Sequence, residues 1–138
     1  MPATNAAIQA NINSLKLVMT GKKDAWLDLF AENAVVHDPV GPSAHDPEGK
    51  GFQGRARISE FWDMMIATGD LNIVPHKRIA VGNNIACVIM TACNNVGGMK
   101  VHIEMVAIYE VNAAGKVISL KVYWDVDSLG EQMKAFGF

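Results

Sequence analysis

Asp38 stands where a carboxylate has most use. It ends a short apolar run, Ala34-Val35-Val36-His37, and leads through Pro39-Val40-Gly41 into a segment rich in Gly, Pro, Asp and Ser, Gly41 to Gly54. An aspartate before proline commonly starts a turn, its carboxyl bonding nearby backbone. At the lip of an apolar pocket the same group has a second use. Desolvation raises its pKa, and a base so placed can take a proton from carbon. The residues alone leave both readings open.

The other reactive side chains are scattered. His37, His45, His76 and His102 lie on different segments without the H-x-x-x-H spacing of a metal site, so no metal is expected. Cys87 and Cys93 fall on one face of an expected strand. At about 3.3 Å per residue they sit roughly 20 Å apart, too far for a bridge, and read as buried structural thiols. Phosphate-binding glycine loops, a G-x-S-x-G elbow and C-x-x-C pairs are all missing, so no cofactor is expected.

Positioning Asp38 falls to helices first and strands later. Ile8, Ile12, Leu15 and Met19 recur at helical spacing and predict a helix from Thr4 to Thr20, stopped by Gly21. A second helix is expected from Lys22 to about Ala31, burying Trp26, Leu29 and Phe30, and then a strand from Ala34 to Asp38. The third helix, Arg55 to Ala67, carries Ile58, Phe61, Trp62, Met65 and Ile66 on one stripe. Strands follow over Leu71–Val81, Ile85–Asn95, Met99–Val111 and Lys116–Val126, joined by short turns that imply an antiparallel meander. Ser128 to Phe138 reads as a short helix or a tail over the sheet. The whole chain, 1–138, reads as one α+β domain with three N-terminal helices on a curved antiparallel sheet, open at one end as an apolar pocket.

Composition narrows the function further. Half of the 138 residues are hydrophobic and the net charge is −2, which argues against disorder and against a nucleic-acid partner. No apolar stretch approaches the roughly 20 residues of a membrane span. The opening residues carry neither the basic nor the apolar region of a signal peptide, so a cytoplasmic location is expected.

The run Ala31-Glu32-Asn33-Ala34-Val35-Val36-His37-Asp38-Pro39-Val40-Gly41 resembles the ketosteroid isomerase (steroid Δ5-isomerase) family, within the NTF2-like and SnoaL-like superfamily. The likeness continues through Gly54, Ile58, Glu60, Phe61 and Trp62. It resumes at Val111-Asn112-Ala113-Ala114-Gly115-Lys116-Val117 and at Tyr123-Trp124-Asp125. It implies an NTF2-like cone and Asp38 as the base that moves a proton α to a ketone. The family's tyrosine and protonated aspartic acid, which stabilise the dienolate, fall by alignment on Ser14 and Ala107. Tyr109, on the same strand face as Ile103, Met105 and Ala107, is the better substitute donor, and Thr91 a weaker hydroxyl contact. His102 and Glu104 fall on the opposite face.

Trp124 and Leu120 on one side, with Phe61, Trp62, Met65 and Met105, are expected to hold a flat hydrophobic substrate. The expected function is a cofactor-independent isomerase acting on a lipophilic, steroid-like or cyclic carbonyl compound. The alternatives are a lyase or dehydratase on an aromatic or polyketide-like substrate, or a steroid-binding protein without turnover. The resemblance also implies a homodimer through the outer sheet face.

Overall fold

In the computed structural model, which describes residues 5–67, 70–96, 98–135 and 137, the first helix is set by its cap. Asn5 accepts from the Ile8 amide at 2.9 Å and donates to the Gly82 and Ile85 carbonyls at 3.0 Å each. One side chain thus starts α1 (Ala6–Met19) and ties it to a distant β-turn. The buried residues of α1 are Ala7, Ala10, Asn11, Ser14 and Leu15, whereas Ile12 and Met19 are exposed. The helix is therefore turned away from the expected stripe. Small residues face inward, which lets α1 lie close on the sheet, and two polar side chains are buried with them.

The second helix, α2 (Lys23–Leu27), is shorter than expected. Leu29 and Phe30 lie outside it, because Phe30 already belongs to β1 (Phe30–His37). Strand β2 (Phe52–Gln53), which no sequence pattern marks, pairs antiparallel with β1. The long meander consists of β3 (Asn72–Val81), β4 (Ile85–Val96), β5 (Met99–Val111) and β6 (Val117–Tyr123). The sheet order is β2-β1-β6-β5-β4-β3, and β1 runs parallel to β6. The sheet is accordingly mixed and not antiparallel throughout. The chain leaves β1 through α3 and the meander before β6 returns beside it in the same direction, the long crossover that parallel pairing requires.

Helix α3 (Gly54–Phe61) continues as a π-helical turn, Trp62–Ile66, closed by the Ala67 amide on the Trp62 carbonyl at 2.9 Å. Phe61 and Trp62 diverge by about 100° around the axis, whereas Phe61 and Met65 share a face. Trp62 is thereby placed against Trp26, ring centroids 5.2 Å apart, in a cluster that also holds Phe30 and Phe61. It packs between elements and does not line the cavity described below. The final stretch forms α4 (Val126–Ala135). Its Gln132 side chain accepts from the His102 amide and donates to the His102 carbonyl, both at 2.9 Å, as a neighbouring strand would. Expectations for Phe136 and Phe138 lie outside the described residues.

Cys87 and Cys93 are free and half-buried on the outer sheet face, not in the core, and Cys93 Sγ lies 3.3 Å from His102 Nδ1. Among the described residues no helix is long and apolar enough to cross a membrane. Because Trp62 fills the core, Trp62→Ala is expected to cost about 3–5 kcal/mol. Equilibrium unfolding in urea measures this, and a loss under about 1 kcal/mol would place the ring outside the packed interior.

Candidate functional site

Asp38 follows directly on β1, and the chain beyond it stays on the sheet because the Val40 amide donates to the Val122 carbonyl at 2.9 Å. Trp124 stands just beyond the end of β6. Its indole Nε1 donates to Asp38 Oδ1 at 2.6 Å. The neighbouring ends of two parallel strands thus hold the carboxylate and its indole donor together. Desolvation by the surrounding protein raises the Asp38 carboxyl to about 6, and the Trp124 hydrogen bond opposes part of that rise. A carboxyl so tuned is mostly ionised at pH 7, yet more basic than one in water.

Asp38 lines a cavity of about 180 Å³ between the helices and the inner sheet face. Of the residues expected at the site, Ser14, Phe61, Met65, Met105, Tyr109, Leu120 and Trp124 line it with Asp38. Three do not. Trp62 belongs to the aromatic cluster. Thr91 is on the outer face, where its hydroxyl meets His76 Nε2 at 2.8 Å. Ala107 has the inward parity of its strand but is fully buried and does not reach the cavity.

The deep end of the cavity is polar. Trp26 Nε1 donates to Ser14 Oγ at 3.0 Å, and Tyr109 Oη donates to the same oxygen at 3.2 Å. Ser14 and Tyr109 are each 2% exposed. One turn before Ser14 lies Asn11, wholly buried, whose Oδ1 accepts from Arg78 Nε at 2.8 Å. Burial raises the Tyr109 pKa first of all; hydrogen bonding to Ser14 and Asn11 lowers it, Asp38 adds to the rise, and Arg78 opposes it. Tyr109 therefore stays a neutral phenol at physiological pH.

Sequence reasoning misses Trp26, Asn11 and Arg78 as site residues. Spacing is a signal that could find one of them, since Asn11 stands i to Ser14 at i+3 on α1; Arg78 carries no such signal, and Trp26 reads only as core. The loop from Gly41 to Gly54 bounds a different feature, an open groove of about 530 Å³ that includes His45, Asp46, Glu48, Lys50 and Arg57. That groove is charged, whereas the Asp38 cavity is lined mostly by apolar side chains and holds the perturbed carboxyl. His45 does not reach the cavity. The His37 ring packs over Gly51, whose φ of +78° and lack of a side chain leave it room. Among the described residues no group of three His, Cys, Asp or Glu is placed to hold a metal.

The raised pKa of Asp38 carries a consequence for stability. A carboxyl whose folded pKa exceeds its unfolded value of 3.8 favours folding fully below pH 3.8, and that advantage is lost as pH rises through about 6. A rise of that size corresponds to about 3 kcal/mol. Asp38→Asn keeps the shape and an acceptor for Trp124, so it is expected to stabilise the protein by about 1–3 kcal/mol at pH 8 and by little at pH 4. Urea unfolding across that range checks this; a destabilised variant at pH 8 contradicts the buried-charge assignment.

A SnoaL-like domain model matches residues 13–120. No protein of curated function matches the sequence. Among solved structures, RV0760c from Mycobacterium tuberculosis is 26% identical with a TM-score of 0.87, covering 93% of this chain and 97% of its own. A second structure of that protein is a complex with estradiol-17β-hemisuccinate. The Δ5-3-ketosteroid isomerase from Mycobacterium sp. is 27% identical with a TM-score of 0.84, covering 91% and 97%. An M. tuberculosis LEH-like epoxide hydrolase, 18% identical with a TM-score of 0.77 over 97% and 93%, shares the fold alone. With four α-helices among the described residues on a curved mixed sheet of NTF2-like form, the chain belongs to the SnoaL-like domain family.

Proposed function

We propose that this protein is a cofactor-independent, ketosteroid isomerase-like enzyme in which Asp38 transfers a proton between carbons of a lipophilic cyclic carbonyl compound. The observation that carries the reading is one carboxyl raised to about 6 inside an apolar cavity. Desolvation makes it a stronger base, Trp124 fixes its direction, and flat apolar walls formed by Phe61, Leu120 and Trp124 orient a ring against it. The likeness to a Δ5-3-ketosteroid isomerase at 27% identity supports the same chemistry. A base taking hydrogen from an α-carbon leaves an enolate, and returning the proton to another carbon completes an isomerisation without change of mass.

The second reading is binding of a steroid-like ligand without turnover. The estradiol-17β-hemisuccinate complex of RV0760c favours it. Solvent deuterium exchange separates the two. Over a panel of cyclic and steroid ketones, the enzyme reading expects deuterium at the α-carbon, with kcat/KM falling about tenfold per pH unit below about 6. Asp38→Asn should remove on the order of 10³ or more of the rate while ligand affinity changes little. Exchange untouched by that variant would remove Asp38 from the mechanism, and tight binding with no exchange anywhere in the panel would favour the binding reading.

We also propose a homodimer through the outer sheet face. Ile89 and Val106 are paired neighbours there, Val106 pairs in turn with Tyr123, and all three are exposed. Val106→Arg places a charge at the centre of this row and is expected to yield a monomer in light scattering. A wild-type protein already monomeric at tens of micromolar excludes the dimer.

A further inference from the structure

The end of the cavity away from Ser14 and Tyr109 is its rim, where half-buried Leu71, Asn94 and Leu129 line it. Asn94 follows Met90 and Ala92 on the inner face of β4, and its partner on β5 is Val101. Gln132 fastens α4 to His102, and Leu129, one turn earlier on that helix, reaches the rim beside Val101 and Ile103. Leu71, Ala92, Val101, Ile103 and Leu129 are all apolar. Asn94 alone brings polarity to this end.

The backbone fixes which way its amide is turned. The Asn95 N–H donates to Asn94 Oδ1 at 2.9 Å, a bond that only the oxygen can accept. Nδ2 is therefore the free end of the group. Among the described residues it donates to nothing, so its hydrogens remain for whatever enters the rim.

Length decides which part of a ligand meets it. Tyr123, which precedes Trp124, pairs with Val106, and Val106 is five residues along β5 from Val101. Such a stretch of strand spans roughly 17 Å. The enclosed space of about 180 Å³ takes little more than one ring, since an apolar cavity of about 150 Å³ holds a benzene. A single ring held at Asp38 ends short of Asn94. A compound of several fused rings, its reacting ring at Asp38, extends to the rim.

We infer that Asn94 is a specificity-determining residue, donating a hydrogen bond from Nδ2 to an oxygen at the far end of the ligand. This rests on the reading of the cavity as the place where Asp38 acts, and narrows the ligand class. The ligand is a fused-ring compound with a second acceptor, a carbonyl, on the ring most distant from the reacting one. A far end of carbon alone desolvates the amide and leaves it unpaired, which costs affinity.

Equilibrium dialysis of estrone and of its 17-deoxy analogue tests this, because the two share every ring and differ in one distant carbonyl. Wild-type protein is expected to hold estrone about 3- to 10-fold tighter, the usual worth of one neutral hydrogen bond. Lipophilicity alone gives the opposite order. Asn94→Leu, close in volume but without the donor, should cancel or reverse the preference. Asn94→Asp, which keeps the shape and offers only acceptors, should weaken estrone about tenfold or more and the analogue less. An asparagine with a merely structural role would weaken both ligands alike.

The wild-type comparison needs no variant, so it decides the matter even where a substitution fails to fold. Equal affinity for the two steroids, tighter binding of the analogue, or binding of neither overturns the inference, as does a preference that survives Asn94→Leu. Dialysis reads binding and not turnover. These outcomes therefore leave the base assignment standing, whereas deuterium exchange that survives Asp38→Asn removes the base and leaves the rim contact.

Discussion

Removing water from one carboxylate is the interaction on which the site depends. Asp38 loses hydration on entering the apolar cone and regains a single strong bond from Trp124. The result is a group held in its charged form at neutral pH at a cost of the same order as one large core side chain. The aromatic cluster of Trp26, Phe30, Phe61 and Trp62 supplies the opposing stabilisation, and Trp26 and Phe61 belong at once to that cluster and to the cavity wall. Core and site are therefore not separate regions. The indole of Trp26 packs on Phe30 with its ring and holds Ser14 with its nitrogen.

Polarity in the cavity is arranged at two places. Asp38 is an acceptor beside Trp124; the Ser14–Tyr109 pair, backed by Asn11 and Arg78, is a source of hydrogen-bond donors. Apolar side chains lie between. The small residues of α1 make this geometry reachable. Ala7 and Ala10 let the helix settle on the sheet, so that Asn11 and Ser14, on the same buried face, reach side chains from β3 and β5.

The later strands are legible because local chemistry defines them: period-two alternation and short glycine or asparagine turns fix β3, β4 and β5 to within a residue, whereas β6 ends at Tyr123, three residues before the expected Val126, where α4 begins. Parity alone puts Tyr109 on one face with Ile103 and Met105, and the cavity brings all three together. What escapes such reading is set by distant partners. The parallel join of β1 to β6 and the two-residue β2 depend on contacts that no short window contains. A hydrophobicity pattern misplaces the buried face of α1 because it follows Ile12 and Met19, both exposed, and passes over a helix that buries asparagine and serine. Ser14 is reached by alignment; Asn11 and Arg78 are not reached at all, since a buried amide and an arginine on a strand carry no motif. Adjacent residues on α3 point about 100° apart, so Phe61 reaches the cavity while Trp62 does not, a distinction that the hydrophobic stripe does not make.

Backbone shape does not select a reaction here, because an isomerase and an epoxide hydrolase superpose on this chain with TM-scores of 0.84 and 0.77. Selection falls to the ionisation states that the cavity enforces. Desolvation pushes the pKa of Asp38 up and that of Tyr109 up as well, with opposite effects on availability at pH 7. The carboxyl remains mostly ionised and becomes a better base, while the phenol is kept neutral and can donate a hydrogen bond without surrendering its proton. One physical cause thus leaves a mostly ionised acceptor and a neutral donor lining the same cavity.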